Sequence, residues 1–466
     1  MANIMQDAAI ARLDAIRMTS DEKRSEFAQH LTPPETAKLA VSMFSELEPE
    51  KAFINCLDLG AGTGMLSVAL YDRYDGHIEK LDAIEMDESL ATIFEAEMAS
   101  VGVPHELVLG DALTDTPNRL YDRVILNPPY KKMGARDPRQ ALLPCHAANL
   151  YSAFISIGLS RLAKNGELVA IVPRSWMNGD YFTPFRRYAL GFFSLDAIHV
   201  YGSRTEVFED TKVLQETMLV RFSNRKQNEL IKVTQSKGKN DGIEEALYKS
   251  SDLIDPFSLV VRIAPHSESG SCETLSAVGL CPSTGKVVDF RSRDCIFDEK
   301  PNCKSVYSLL YAGNFVDGEI IHPRDIGKPQ WFVADDVKAV QQLTQPGFYV
   351  VVKRFSSKEE RRRVTAYPIE VSEPVALENH LNFIHAGTPR NVVPLRSEGL
   401  SRGLALWLNS TYIDEWFRDV SGSTQVNAKD IKSMPCPSIE TLQSLGRFWE
   451  PGMDQSTIDA IIESVK

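Results

Sequence analysis

The chain has 466 residues, 43% of them hydrophobic and 24% charged, with a net charge of −12. Such proportions belong to globular proteins, and the length predicts two or three domains; fibrous and disordered classes are excluded. No apolar run approaches the roughly 18 residues of a membrane span, and MANIMQDAAIARLDAIRM at the N-terminus has no signal-peptide pattern, so a cytoplasmic protein without a membrane partner is expected.

The seven cysteines include no Cys-x-x-Cys pair, and the spacing of Cys272, Cys281, Cys295 and Cys303 fits no zinc template. Free thiols and no metal are expected. The acidic balance argues against a surface that is basic throughout. It leaves room for a local basic stripe, because charge can be segregated between faces.

In chain order, Ile4, Ala8, Ile10, Leu13 and Ile16 give residues 4–18 helical periodicity. In Leu31-Thr32-Pro33-Pro34-Glu35, Thr32 fits an N-cap, the prolines a first turn and Glu35 a capping box, with a helix running on to Phe44. That helix start could present Thr32 and backbone N–H groups to a carboxylate. Residues 53–59 (FINCLDL) read as a buried strand entering Gly60-Ala61-Gly62-Thr63-Gly64, followed by a helix from Met65 to Arg73. Gly60, Gly62 and Gly64 let the backbone turn tightly against a ligand. Their spacing is not the G-x-G-x-x-G of pyrophosphate binders. Asp58, two residues earlier, suits a cationic ligand end such as an ammonium.

The next strand, 81–87, also ends in acids. Glu85 lies 21 residues after Gly64, the usual distance for a carboxylate that binds ribose hydroxyls. A third strand ends at Asp111, which could accept from an adenine amino group. Residues 121–126 (YDRVIL) form a fourth strand, stopped by Asn127-Pro128-Pro129-Tyr130. Two prolines donate no N–H and cannot continue a ladder. The Asn127 side-chain oxygen and the Pro128 carbonyl could both accept from one –NH2 group, with the Tyr130 ring beside it. A helix over 150–162 and strands over 166–173, 195–201 and 216–222 complete an alternating pattern, which predicts a doubly wound parallel sheet.

The polar stretch 223–241 reads as a linker. Beyond it, Pro, Gly and Ser breaks suggest a mixed α+β domain. Between Lys353 and Arg363, six of eleven residues are basic, including Arg354, Arg361 and Arg362, with Phe355 inside the run. This is the local stripe that the net charge does not reveal. Residues 404–417 read as one amphipathic helix. The loop at 421–427 carries Ser423, Gln425 and Asn427, side chains able to bond base edges or phosphates.

Taken in order, Thr32-Pro33, Asp58 to Gly64, Glu85, Asp111 and Asn127 to Tyr130 resemble the gamma group of S-adenosylmethionine-dependent DNA amino-methyltransferases from restriction–modification systems. The segments 282–291 (PSTGKVVDFR), the basic run and 422–427 (GSTQVN) look like recurring parts of its BsuBI/PstI-type members. The resemblance implies a Rossmann-like class I methyltransferase domain over 1–235, an α+β target-recognition domain over 245–440 and a C-terminal tail over 441–466. It implies S-adenosylmethionine as cofactor, with Thr32 and Asp58 at the methionyl end, Glu85 at the ribose and Asp111 at the adenine. It also implies that Phe208, in 207–213 (VFEDTKV), stacks on a flipped base with Tyr130.

The expected activity is methylation of adenine N6 in double-stranded DNA, with a cognate restriction endonuclease on a separate chain. Lys131, Lys132, Lys353, Arg354, Arg361, Arg362, Arg363, Ser423, Gln425 and Asn427 are the expected DNA contacts. The rivals are an N4-cytosine enzyme, an RNA or protein-glutamine amino-methyltransferase, and a DNA-binding subunit with a decayed catalytic domain. The intact set Asp58, Glu85, Asp111 and Asn127 argues against decay.

Overall fold

A computed structural model describes residues 4–18, 31–49, 51–201, 217–236, 242–265, 272–316, 319–356, 360–421 and 424–464. The chain divides into two compact units, Met1–Pro265 and His266–Lys466.

The first unit is built on nine strands: β1 (Ile54–Leu59), β2 (Ile78–Glu85), β3 (His105–Leu109), β4 (Tyr121–Leu126), β5 (Leu162–Pro173), β6 (Ser194–Tyr201), β7 (Thr217–Ser223), β8 (Leu230–Ser236) and β9 (Ile243–Lys249). Their order in the sheet is β3-β2-β1-β4-β5-β7-β6-β8-β9. The five strands from β3 to β5 run parallel, whereas β7 inserts antiparallel between β5 and β6. The doubly wound α/β class therefore stands, with two antiparallel strands, β7 and β9, that the alternating pattern does not reveal.

Both faces of the sheet are covered, as parallel strands require. Along β5, Leu168, Ala170 and Val172 pack into one apolar cluster while Val169 and Ile171 pack into the other. This is the two-residue alternation of a strand expressed as two cores. Helices Pro34–Ser42 and Met65–Arg73 cover one face; helix Leu150–Ser160 covers the other.

The stretch expected as a linker instead carries β8. Ile231 and Val233 are buried while their neighbours Leu230 and Lys232 are exposed, so a polar-looking sequence makes a half-buried strand. β8 pairs parallel with β6 and antiparallel with β9, and the unit closes only at Pro265.

The second unit is α+β, as its breaks suggest. One antiparallel sheet takes Leu280–Thr284, Leu381–Thr388, Gly347–Lys353 and Ala366–Val371 in that order, with Asn391–Val393 on the second of these. A second five-stranded sheet includes Val306–Leu310 and Val375–Leu377. The single helix expected over 404–417 is two, Glu398–Leu408 and Thr411–Val420. Ser410 caps the second, and the Asn409 amide bonds both backbone groups of Ala366.

Over its described residues, 441–464, the expected C-terminal tail is packed helix. Helix Ile439–Leu445 lies so close to helix Glu398–Leu408 that a Cβ at Gly403 would run into the Leu442 carbonyl. Helix Gln455–Glu463 is held by Asp459, which accepts from the Thr411 backbone N–H at 2.8 Å and from its hydroxyl at 2.6 Å. Among the described residues, no helix is long and apolar enough to cross a membrane.

Candidate active site

The carboxyl ends of β3, β2, β1 and β4 lie side by side in the sheet and deliver Asp111, Glu85, the glycine turn and Asn127 to one rim. Open α/β sheets bind ligands at such a rim, where strand order reverses. The turn after β1 requires glycine: Gly60, Gly62 and Gly64 have φ of 78°, 58° and 88°, a region that side chains with a Cβ disfavour. A Cβ at Gly64 would also press on the Phe94 ring at 3.1 Å.

A cavity of about 460 Å³ opens here. Polar groups on its wall include Glu85, Asp111, Asn127 and Arg139; Leu31, Leu90 and Phe154 supply apolar wall. A smaller pocket beside it is lined by Thr32, Gly60, Gly62, Met65 and Asn127.

Glu85 is the best defined of the acids. Its Oε2 accepts from the Gly62 N–H at 2.8 Å, and its Oε1 from Met86 and Asp87 at 2.9 and 2.8 Å. Burial raises its pKa, and these three bonds offset only part of that rise. The carboxylate is thus locked to the glycine turn while facing the cavity. Asp58 is fully buried; Ser67 donates to its Oδ2 at 2.7 Å, and its Oδ1 has no hydrogen-bond partner among the described residues. Burial pushes its pKa up to about 7, the Ser67 bond lowers it and the Glu85 charge adds to the rise. An unpartnered buried carboxylate oxygen is costly. An ammonium group is the kind of partner this oxygen lacks, although Asp58 itself lines neither pocket; the wall residues Glu85, Asp111, Thr32 and the glycine turn fit a nucleoside cofactor with a polar amino-acid end.

Asp111 is engaged more than its sequence suggests. Its Oδ1 accepts from the Leu113 N–H at 2.9 Å and its Oδ2 from Arg139 at 2.9 Å. Arg139 also grips Asp137 through two bonds of 3.0 and 2.7 Å. Arg139 and Asp137 line the cavity yet escaped the sequence reading. Asp137 caps, and Arg139 lies in, the short 3-10 helix Pro138–Leu142, which is too brief for periodicity to mark.

Asn127 donates from Nδ2 to the Thr32 hydroxyl at 2.9 Å, across 95 residues of sequence. The Tyr130 hydroxyl lies 3.5 Å from Asn127 Oδ1 and 3.3 Å from the Ile171 carbonyl. The expected N-cap role of Thr32 is therefore wrong: the helix begins at Pro34, Pro33 precedes it without a side-chain cap, and the Thr32 hydroxyl serves Asn127. Pro129 lines the cavity, whereas Pro128 is buried. Tyr130 is half-buried and packs edge-on against Tyr151 at 6.2 Å. Phe208 lies outside the described residues.

The expected DNA contacts divide. Lys131 and Lys132 line the cavity itself. Arg361 is exposed. Arg362 is half-buried and donates to the Asn409 carbonyl at 3.1 Å; burial, then the Arg361 charge, lowers its pKa. Arg363 is 1% exposed and cannot reach a phosphate. Its guanidinium lies over the Phe417 ring at 5.2 Å and bonds Ser356 at 3.1 Å. Asn427 is half-buried, and its side-chain amide donates to Asp430 at 3.2 Å at the start of helix Ala428–Lys432. Lys353, Arg354 and Gln425 fall together near the end of strand Gly347–Lys353. Ser423 lies outside the described residues.

The strand order, the glycine turn and the ring of acids define a class I S-adenosylmethionine-dependent methyltransferase. Residues 36–178 match the family model described as methyltransferase small domain. The chain is 32% identical to Type II methyltransferase M.BsuBI of Bacillus subtilis, covering 94% of this chain and 93% of that protein. It is 31% identical to M.PstI of Providencia stuartii, over 96% and 95%. The chain belongs to this family of Type II DNA methyltransferases of restriction–modification systems, and its cofactor is S-adenosylmethionine. The fold is shared with the Type IIL restriction-modification enzyme MmeI, solved in complex with DNA, at a TM-score of 0.56 and 13% identity, over all of this chain and 75% of that one.

Proposed function

We propose that the enzyme methylates N6 of an adenine flipped out of duplex DNA at a specific sequence, in the cytoplasm, as the modification partner of a restriction endonuclease carried on a separate chain. The observation that carries this reading is Asn127 at the cavity rim, its amide oriented by Thr32 so that Oδ1 serves as acceptor. Asparagine at the head of Asn-Pro-Pro-Tyr favours adenine, since Ser or Asp more often stands there in N4-cytosine enzymes.

S-adenosylmethionine, when bound, supplies an electrophilic methyl that leaves its sulfur as the new N–C bond forms. Asp58 would hold its ammonium, Glu85 its ribose hydroxyls and Asp111 its adenine. The target base must leave the stack to reach Asn127. Asn127 Oδ1 and the Pro128 carbonyl accept the two hydrogens of its amine, which loosens the conjugation of the nitrogen lone pair with the ring. The nitrogen gains the methyl and passes one proton to solvent. The Pro-Pro segment holds both acceptors stiffly, so catalysis is mostly positioning and fixed dipoles.

The test is expression in a host without DNA methylation, followed by long-read mapping of modified bases. One short motif carrying N6-methyladenine is expected, protected from cutting by the cognate endonuclease. N4-methylcytosine, or unmodified DNA from a chain that binds its cofactor, would overturn the reading.

A further inference from the structure

Three segments distant in sequence meet in the second unit on residues 378–382 (ENHLN). Gly285 donates its N–H to the Leu381 carbonyl at 2.8 Å, and Asn379 donates to Val287 at 2.8 Å. A Cβ at Gly285 would strike the Glu378 backbone, so only glycine permits that approach. From the basic run, the Arg354 N–H bonds the His380 carbonyl at 3.0 Å. From the polar loop, Val426 donates to the Arg354 carbonyl at 2.8 Å. Asn382, fully buried, ties all of this together: it accepts from Thr284 at 3.0 Å and donates to the Val426 carbonyl at 2.6 Å.

On the surface of this junction sit an imidazole and a phenyl ring. The His380 side chain is 54% exposed and Phe355 is 43% exposed, with 4.9 Å between ring centres. Each is braced from behind. Glu378, 1% exposed, bonds His380 Nδ1 at 2.5 Å and accepts from the His380 N–H at 2.9 Å. A carboxylate on Nδ1 fixes the ring orientation and tautomer, leaving Nε2 as the outward-working nitrogen. Arg354 donates to the Asn379 carbonyl at 3.0 Å and lies 3.5 Å from Gln425 Oε1, its guanidinium 5.9 Å from the Phe355 ring centre. Neither Arg354 nor the adjacent Lys353 has a carboxylate partner among the described residues.

Glu378 also caps its own turn, which explains part of its burial. That role does not explain a rigid, positively charged surface carrying an exposed aromatic ring and a tautomer-fixed histidine. A polyanion whose base edges carry donors, acceptors and thymine methyl groups complements all three features. We propose that Phe355 and His380, braced by Arg354 and Glu378, contact bases of the DNA recognition sequence. The inference rests on the proposed action on DNA and assigns the reading of sequence to named side chains. Phe355 packs on a thymine methyl or a base step, and His380 Nε2 bonds a base edge.

The test uses the full chain and duplex oligonucleotides carrying the mapped site or single base-pair changes of it. For Phe355→Ala and His380→Ala, kcat/KM discrimination at one or two base pairs should fall about 10- to 100-fold. Discrimination elsewhere and cofactor affinity should stay unchanged. Phe355→Leu and His380→Gln, which preserve bulk, provide a second pair should the alanine variants misfold. Discrimination intact at every base pair overturns the inference. So does a uniform loss of DNA affinity with a shallower salt dependence, which marks phosphate contact. A wild-type chain that modifies no DNA refutes the proposed function itself, a distinguishable outcome.

Discussion

Replacing Glu85 by alanine separates two roles of one carboxylate. It accepts three backbone N–H bonds, from Gly62, Met86 and Asp87. Those bonds hold the glycine turn, so losing them lowers stability. Each unsatisfied donor costs about 1–3 kcal/mol, toward the low end here because the cavity admits water. Binding loses the two ribose hydroxyl bonds, each charge-assisted and worth roughly 1.5–3 kcal/mol. The sum, about 3–6 kcal/mol, corresponds to a Kd weakened roughly 10²- to 10⁴-fold. Titration calorimetry with S-adenosylhomocysteine measures the affinity, and thermal melting measures the stability. Glu85→Gln keeps the shape without the charge and should fall between. If Tm drops while Kd stays within threefold of wild type, Glu85 merely braces the glycine turn and the ribose role is refuted.

Asn127→Ala should abolish methyl transfer in single-turnover assays and leave cofactor affinity within a few-fold; near-normal turnover would contradict the amine-binding role. Thr32→Val removes the hydroxyl that orients the Asn127 amide, so kcat should fall about tenfold or more, in line with loss of one hydrogen bond of about 1.5 kcal/mol. An unaltered kcat in that variant would show that Asn127 needs no help. Asp58 has a folded pKa of about 7, well above the roughly 3.9 of an unfolded chain. The folded protein keeps this proton where the unfolded chain has lost it, so stability contributed by Asp58 declines as pH rises from about 4 to 7. Cofactor binding needs the carboxylate, so affinity should rise toward pH 7, about tenfold per unit below it; Asp58→Asn should flatten the profile. Arg363→Ala should lower stability by about 2–4 kcal/mol, and Tm with it, since the contact with the Phe417 ring and the bond to Ser356 are lost. Its salt slope of DNA binding should not change, and a slope reduced by about one unit would restore the phosphate-contact reading.

The order of motifs in the first unit was legible because each is written in backbone constraints of a few residues. Glycines at 60, 62 and 64 take positive φ, and two prolines after Asn127 end a strand whatever surrounds them. Acids follow buried strands at fixed distances, so the carboxyl rim of the sheet could be assembled from the chain alone. Where the sequence misled, the deciding contact came from far away. Thr32 looks like a cap in its own segment, yet its partner is Asn127, 95 residues on. Arg361, Arg362 and Arg363 are equivalent as a charge run. Only the packing of helix Thr411–Val420 turns Arg363 inward onto Phe417 and leaves Arg361 in solvent.

The polar run from Ser223 to Ser236 resembles a linker for a related reason: two buried residues on one strand face, Ile231 and Val233, suffice when a neighbouring strand satisfies the backbone. The Phe355–His380 junction could not be read at all, since its members come from segments joined only by tertiary hydrogen bonds. By itself the sequence determined the glycine turn, the acidic strand ends and the Asn-Pro-Pro-Tyr stop that share one rim of the sheet, because glycine, proline and strand periodicity act locally. Tertiary structure alone decided which charges face water and which side chains hold others in place, because burial and hydrogen-bond partners depend on residues brought close only by folding.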